Sequence, residues 1–119
     1  VVEDDVALMR AMVIALDGQF RVLSATSGKK AIGILKRCPV DAILLDLVMT
    51  DGDGYTVLGF LRSMDRKPAV VVNSVVHNVD TVVKAMKLGA SDFVVKPTSV
   101  DCLRRAIRRA MDEAGHHRP

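Results

Sequence analysis

Four apolar residues, Ala42-Ile43-Leu44-Leu45, run straight into a single carboxylate, Asp46. An apolar run of this length, bounded by turn signals, predicts a strand covered on both faces. The segment Thr50-Asp51-Gly52-Asp53-Gly54 is dense in turn formers, so the chain leaves the sheet there. Asp46 then lies at the carboxyl end of the strand, the edge of an open α/β sheet where ligands and chemistry collect. Alone, an Asp in that place is as readily a cap on a strand–loop junction. The rest of the chain decides between the two.

Taken in order, Val1-Val2-Glu3-Asp4-Asp5 reads as the end of a strand that passes abruptly into acid. Its short apolar lead implies a strand that begins before residue 1. Leu8, Met9, Ala11, Met12, Ile14, Ala15 and Leu16 recur at helical spacing, with Asp5 as a cap and Asp17-Gly18 as the stop. Residues 20–25 predict a second strand. Ser27-Gly28 opens a second helix that halts before Pro39, and Val40 to Asp46 form the third strand. Tyr55, Val57, Leu58, Phe60, Leu61 and Met64 mark a third helix, and residues 69–74 a fourth strand. Asn78 caps a helix carrying Val79, Val82, Val83, Met86 and Leu88, closed by Gly89. Phe93-Val94-Val95 is a short fifth strand ended by Lys96-Pro97, and Thr98-x-x-Asp101 has the form of a capping box for the last helix. Five strands alternating with five helices through short loops imply βαβ units and a parallel sheet covered on both faces.

The 119 residues suit one domain, expected over residues 1–115, with 116–119 as a disordered tail. Half the residues are apolar, yet no run approaches the ~18 residues of a membrane-spanning helix, so no membrane partner is expected. Cys38 and Cys102 are isolated, with neither a metal spacing nor a disulfide framework, which favours a reducing, cytoplasmic setting. The net charge of +3 is modest and does not by itself argue for nucleic acid.

The carboxyl ends of the strands matter as a set. The first ends in Glu3-Asp4, the third in Asp46, the fourth in Asn73-Ser74 and the fifth in Lys96. If the first and third are neighbours, three carboxylates converge in one crevice. Like charges so close resist ionisation unless compensated. A hard divalent cation with oxygen ligands, such as Mg²⁺, compensates them, and Lys96 adds a fixed positive charge. The Ser74 hydroxyl adds a donor. Such a set suits an anionic phosphoryl group.

At these residues the chain resembles the receiver domain of two-component response regulators, from Val1 to about Met111. The resemblance rests on Glu3-Asp4, Asp46, Asp53-Gly54, Gly89-Ala90 and Lys96-Pro97, each on the matching element. It implies a flavodoxin-like, CheY-like α/β fold with strand order 2-1-3-4-5. It implies a phosphoacceptor signalling switch rather than an enzyme with turnover. Asp46 would be the nucleophile that takes a phosphoryl group from a sensor histidine kinase or phosphotransfer protein. Asp4, Asp46 and the backbone carbonyl of Val48 would ligate Mg²⁺, with Glu3 helping directly or through water. Lys96, on a cis bond to Pro97, would pair with the phosphoryl oxygens. Ser74 would be the switch hydroxyl and Phe93 the aromatic rotamer switch. Counting forward from Pro68 selects Asn73 for the hydroxyl position, and counting back from Lys96 selects Ser74. Ser74 is preferred because it has the hydroxyl.

The chain departs from the pattern at Thr50, where a proline is common, which should loosen that loop. Val48 and Val76 flank the site with apolar groups that position no attacking water, so slow autodephosphorylation is expected. Output is expected on the fourth helix, fifth strand and fifth helix, which would also carry a homodimer. Arg104, Arg105, Arg108 and Arg109 make the last helix basic. That face reads as a solvated surface, as a donor of intermolecular salt bridges, or, ranked lowest, as a DNA contact; no direct nucleic-acid binding is expected. The alternative function is a pseudo-receiver that binds partners without phosphotransfer. A flavodoxin-like or haloacid-dehalogenase-like enzyme shares the architecture. However, Asp4-Asp5-Val6 makes a poor anion nest, and the first strand lacks a D-x-D pattern.

Overall fold

The computed structural model describes residues 1–49 and 54–115. The helices are α1 (Val6–Leu16), α2 (Gly28–Arg37), α3 (Gly54–Arg62), α4 (Val79–Lys87) and α5 (Val100–Glu113), and the strands are β1 (Ala42–Leu45), β2 (Ala69–Ser74) and β3 (Asp92–Val95). The strands form a parallel sheet in the order β1-β2-β3, with Leu45 opposite Val72 and Ser74 opposite Val95. The sheet continues on the other side of β1 through single bridges. Val2 pairs in parallel with Leu45 and with Ala25. The spatial order is therefore the residue-25 segment, the residue-2 segment, β1, β2, β3, the doubly wound order expected.

Among the described residues the first two predicted strands pair through single bridges. Pairing beside β1 is confined to residues 1–3, through Val2 N to Leu44 O (2.8 Å), Glu3 N to Ala25 O (3.0 Å) and Asp46 N to Val2 O (3.0 Å). Beyond Glu3 the chain turns, because the Asp5 carboxylate accepts from Leu8 N (3.1 Å) and starts α1. In the 20–25 segment, Ala25 makes the bridge to Val2, while Phe20 closes back on Asp17. Leu23 O accepts from the Val1 ammonium (2.9 Å), and Ala25 N donates to Val1 O (2.9 Å).

Two apolar clusters fill the two faces of the sheet. Leu45, Val57, Leu58, Leu61, Val70 and Val72 belong to one, under α2, α3 and α4. Met12, Leu16, Leu44, Val71, Leu103 and Ile107 belong to the other, under α1 and α5. Adjacent β2 residues alternate between them, as period-two geometry requires. Ser27 caps α2 through Lys30 N (3.1 Å) and Asn78 caps α4 through Thr81 N (2.8 Å), both as expected. Gly89 closes α4 in the left-handed region at φ 108°. The cap of α5 is Ser99, accepting from Cys102 N (3.1 Å), and not Thr98, whose hydroxyl is engaged elsewhere.

Two helices expose apolar residues that helical periodicity assigns to a core. In α1, Ile14 is 78% exposed while Met12 and Leu16 are buried. In α4, Ala85 is the buried residue, and Val79, Val83 and Met86 face outward. Periodicity identifies a stripe, not what covers it. The basic face of α5 is partly used within the domain. Arg104 pairs with Asp101 (3.0 Å), and Arg108 reaches Gln19 Oε1 (3.1 Å) while lying 5.0 Å from the Phe20 ring centroid. No helix among the described residues is long and apolar enough to cross a membrane.

Candidate phosphorylation site at the carboxyl edge of the sheet

Glu3 and Asp4 follow the Val2 bridge, Asp46 follows β1, Ser74 ends β2 and Lys96 follows β3. Because Val2 pairs directly with Leu45, the acid pair and Asp46 leave adjacent strands at the same edge. One carboxylate oxygen from each of Glu3, Asp4 and Asp46 lies within 4.8 Å of the others. Glu3 and Asp46 are buried, and Asp4 is half-buried. The Lys96 ammonium donates to Glu3 Oε1 and stands 3.5 Å from Asp46 Oδ2. Asp46 Oδ1 accepts from Val48 N (3.2 Å), so the loop after β1 already turns one carboxylate oxygen toward its own backbone.

The electrostatics follow from burial. Desolvation raises the Glu3 carboxyl above its ordinary value of 4.5, the Lys96 hydrogen bond opposes this, and the Asp46 charge adds to the rise. A carboxyl whose folded pKa exceeds its unfolded value favours the protonated form in the fold. Its cost to stability is absent below about pH 4.5 and grows as pH rises through the elevated value. Glu3→Gln should therefore melt higher than the parent at pH 7, with the gap closing toward pH 4. Thermal melts of the two proteins across that range test this, and equal midpoints at pH 7 would refute it.

The structure also places the other candidates. Ser74 is fully buried, and its Oγ accepts from Val76 N (3.1 Å), tying the hydroxyl to the following loop. Its carbonyl accepts from Lys96 N (2.9 Å). Asn73 points to the opposite face of β2. Phe93 is half-buried against the cluster under α3 and α4. The Lys96–Pro97 bond is cis. Val48, whose N–H meets Asp46, is 57% exposed, and Val76, whose N–H meets Ser74, is 37% exposed. The turn residues Thr50 to Asp53 and the tail 116–119, where loop loosening and disorder were expected, lie outside the described residues.

One feature of the site carried no decisive sequence signal. Gly54, the first residue of α3, donates N–H to Leu47 O (2.9 Å), and a Cβ there would stand 2.5 Å from Asp46 O and 2.7 Å from Leu47 Cα. Its hydrogen side chain lets α3 abut the backbone that carries Asp46. The Asp53-Gly54 pair reads as a turn signal and carries part of the family resemblance; the contact of Gly54 with Asp46 appears only in three dimensions.

The chain is similar to known proteins over most of its length. The family model of the response regulator receiver domain matches residues 1–108. Chemotaxis protein CheY of Bacillus subtilis is 30% identical over 112 residues, covering 92% of this chain and 93% of that protein. Regulatory protein AtoC of Escherichia coli is 32% identical over 109 residues, and Transcriptional regulatory protein KdpE of Mycobacterium tuberculosis is 34% identical over 114. Each match covers 92% of this chain, but only 23% of AtoC and 50% of KdpE. Among solved structures, the signal receiver domain of a putative LuxO repressor protein from Vibrio parahaemolyticus superposes with a TM-score of 0.89 at 27% identity, covering 96% of this chain and 88% of that one. The chain belongs to the response regulator receiver domain family.

Proposed function

We propose that this domain is a phosphoacceptor switch in which Asp46 takes a phosphoryl group from the phosphohistidine of a sensor kinase or phosphotransfer protein. The observation that carries the reading is the convergence of Glu3, Asp4 and Asp46 with the Lys96 ammonium at one sheet edge. An Asp46 carboxylate oxygen attacks phosphorus, the phosphorus–nitrogen bond breaks, and the imidazole leaves and takes up a proton. The product is an acyl phosphate on Asp46.

The donor set fits Mg²⁺. Three carboxylates offer one oxygen each within a single small cluster, and hard cations take oxygen ligands. Asp4, Asp46 and the Val48 carbonyl would hold the ion, with Glu3 helping directly or through water. When bound, it supplies positive charge that offsets the charge on the transferring phosphoryl oxygens. Lys96 would move from Glu3 and Asp46 to a phosphoryl oxygen, releasing an ion pair in the process. Ser74 would turn its hydroxyl to the phosphoryl group and draw Val75 and Val76 with it. Phe93 would follow as the rotamer switch. Asp4→Ala should weaken Mg²⁺ binding at least tenfold, as loss of a site carboxylate does. Calorimetric titration tests this, and an unchanged affinity would refute the assignment.

The rim of Val48 and Val76 presents no polar group to an attacking water, so the acyl phosphate should decay slowly. Val48→Asn with Val76→Glu should shorten its lifetime by up to about a hundredfold, the low end of what a positioned proton-transfer group contributes. Phosphoprotein decay followed by mass is the check, and loss within seconds from the parent would refute it. Output is assigned to α4, β3 and α5. Exposed Val79, Val83 and Met86 on α4, which packs against β3, support a surface that meets a partner or a second copy. An effector domain joined to the receiver, a homodimer through that face and a cytoplasmic setting are parts of the same reading.

A further inference from the structure

Asn73 is an anomaly in β2. It is 3% exposed and follows Val70, Val71 and Val72 in a fully buried strand. Asn is poorly suited to such a position, and a buried amide is costly unless it is hydrogen-bonded. It lies on the face toward α1 and α5, opposite to Ser74, so it is not the switch hydroxyl. On one side it lines a narrow crevice with Glu3 and Asp46. On the other it borders, with Lys96, Pro97 and Thr98, a groove of about 370 Å³ between α1 and α5. Asn73 thus lines one cavity with Glu3 and Asp46 and another with Lys96.

Its partner is Thr98, two residues after Lys96. The Thr98 hydroxyl shares its one proton between Val95 O (2.6 Å) and Asn73 Oδ1 (3.3 Å). The turn from Val95 to Ser99 is poor in backbone donors, because Pro97 has no N–H. Lys96 N to Ser74 O (2.9 Å) pins its first half to β2. The Asn73–Thr98 contact pins its second half. A lysine stem has four flexible carbons, so where its ammonium rests depends on how firmly its backbone is aimed.

We propose that Asn73 and Thr98 are positioning residues that hold the Lys96–Pro97 turn, and so aim the Lys96 ammonium at Asp46. This rests on the phosphoacceptor reading above for its effect on rate, but not for its effect on the turn. Thr98→Val keeps shape, removes the hydroxyl and leaves the Asn73 carbonyl without it. Asn73→Leu with Thr98→Val removes both polar groups, a change that can be nearly neutral for stability.

The test compares the parent, Thr98→Val, Thr98→Ser and the double variant. Two quantities are read. One is the limiting rate of phosphoryl incorporation from acetyl phosphate with Mg²⁺. The other is amide hydrogen exchange at Lys96 in the protein without phosphate. Thr98→Val should slow the limiting rate about tenfold, the effect typical of outer partners of site residues, and speed exchange at Lys96. Thr98→Ser should restore both. The double variant should regain the parental melting temperature yet stay slow, and it should have no further effect in a Lys96→Ala background. A double variant at the parental rate would reduce the pair to packing and overturn the proposal. If the parent takes no phosphoryl group, the phosphoacceptor reading fails, and Lys96 exchange decides the positioning claim alone: unchanged exchange in Thr98→Val overturns it, faster exchange supports it.

Discussion

Gly54→Ala is expected to lower both stability and phosphoryl acceptance, although a helix normally welcomes alanine. The added Cβ would meet Asp46 O at 2.5 Å and Leu47 Cα at 2.7 Å. Both are backbone atoms, so no rotamer change relieves the contact. Overpacking of this kind costs about 1–3 kcal/mol, and alanine's helix preference returns at most about 1 kcal/mol. Two backbone contacts this short put the clash at the upper end of that range, so it wins, with a net loss of up to about 2 kcal/mol and a midpoint drop of up to about 10 °C. The strain falls on the peptide that follows β1, so the Asp46 carboxylate shifts as well. A displacement approaching 1 Å in a reacting group can cost about a hundredfold in rate. Gly33→Ala and Gly59→Ala are the controls, since a Cβ at either meets nothing within 4 Å. They should be neutral or slightly stabilising. Thermal melts and the rate of incorporation from acetyl phosphate separate the three. A Gly54→Ala protein that behaves like Gly33→Ala would refute the wedge.

Lys96→Ala should be the most damaging change in the site for stability in the absence of divalent cations. The Lys96 side chain is 14% exposed and faces Glu3 at 3% and Asp46 at 10%. Removing one partner of a buried pair typically costs about 3–5 kcal/mol, because the remaining charge is left uncompensated. Residual exposure of Lys96 places the expected loss at the lower end, about 3 kcal/mol. The three clustered carboxylates would then hold a divalent cation without a competing ammonium. Mg²⁺ should therefore recover more stability in Lys96→Ala than in the parent. Any phosphoryl group that Asp46 still accepts should fail to change the α4–β3–α5 face. Melts with and without Mg²⁺, and amide exchange in α4 with and without the phosphoryl group, read the two effects. Equal Mg²⁺ stabilisation in both proteins would show that Lys96 does not compensate the acid cluster.

Asp46 and Lys96 were legible because each ends an apolar run, whereas Glu3 and Asp4 follow only the short Val1-Val2 lead. Ala42 to Leu45 announces the strand that delivers Asp46, residues 69–74 the one that delivers Ser74, and Lys96-Pro97 ends the last. The edge segments were less legible. Residues 20–25 alternate like a strand, and among the described residues they pair with residues 1–3 through Ala25 and the Leu23 carbonyl. The cap of α5 was misassigned by one residue because Thr98 and Ser99 offer the same hydroxyl, and only the fold diverts Thr98 to Asn73 and Val95. The outward stripe of α4 and the Gly54 wedge depend on what lies across from a side chain, which one chain's pattern does not encode. The same holds for Asn73. Counting along the chain made it a rival to Ser74, whereas strand geometry turns it to the other face of the sheet.

The central claim is that Asp46 is the phosphoacceptor, and intact mass after incubation with acetyl phosphate and Mg²⁺ tests it most directly, with the parent run beside Asp46→Asn. The account predicts one phosphoryl adduct on the parent and none on the variant, with both proteins folded. An adduct of equal extent on Asp46→Asn, or none on a folded parent that also fails to bind Mg²⁺, would contradict it.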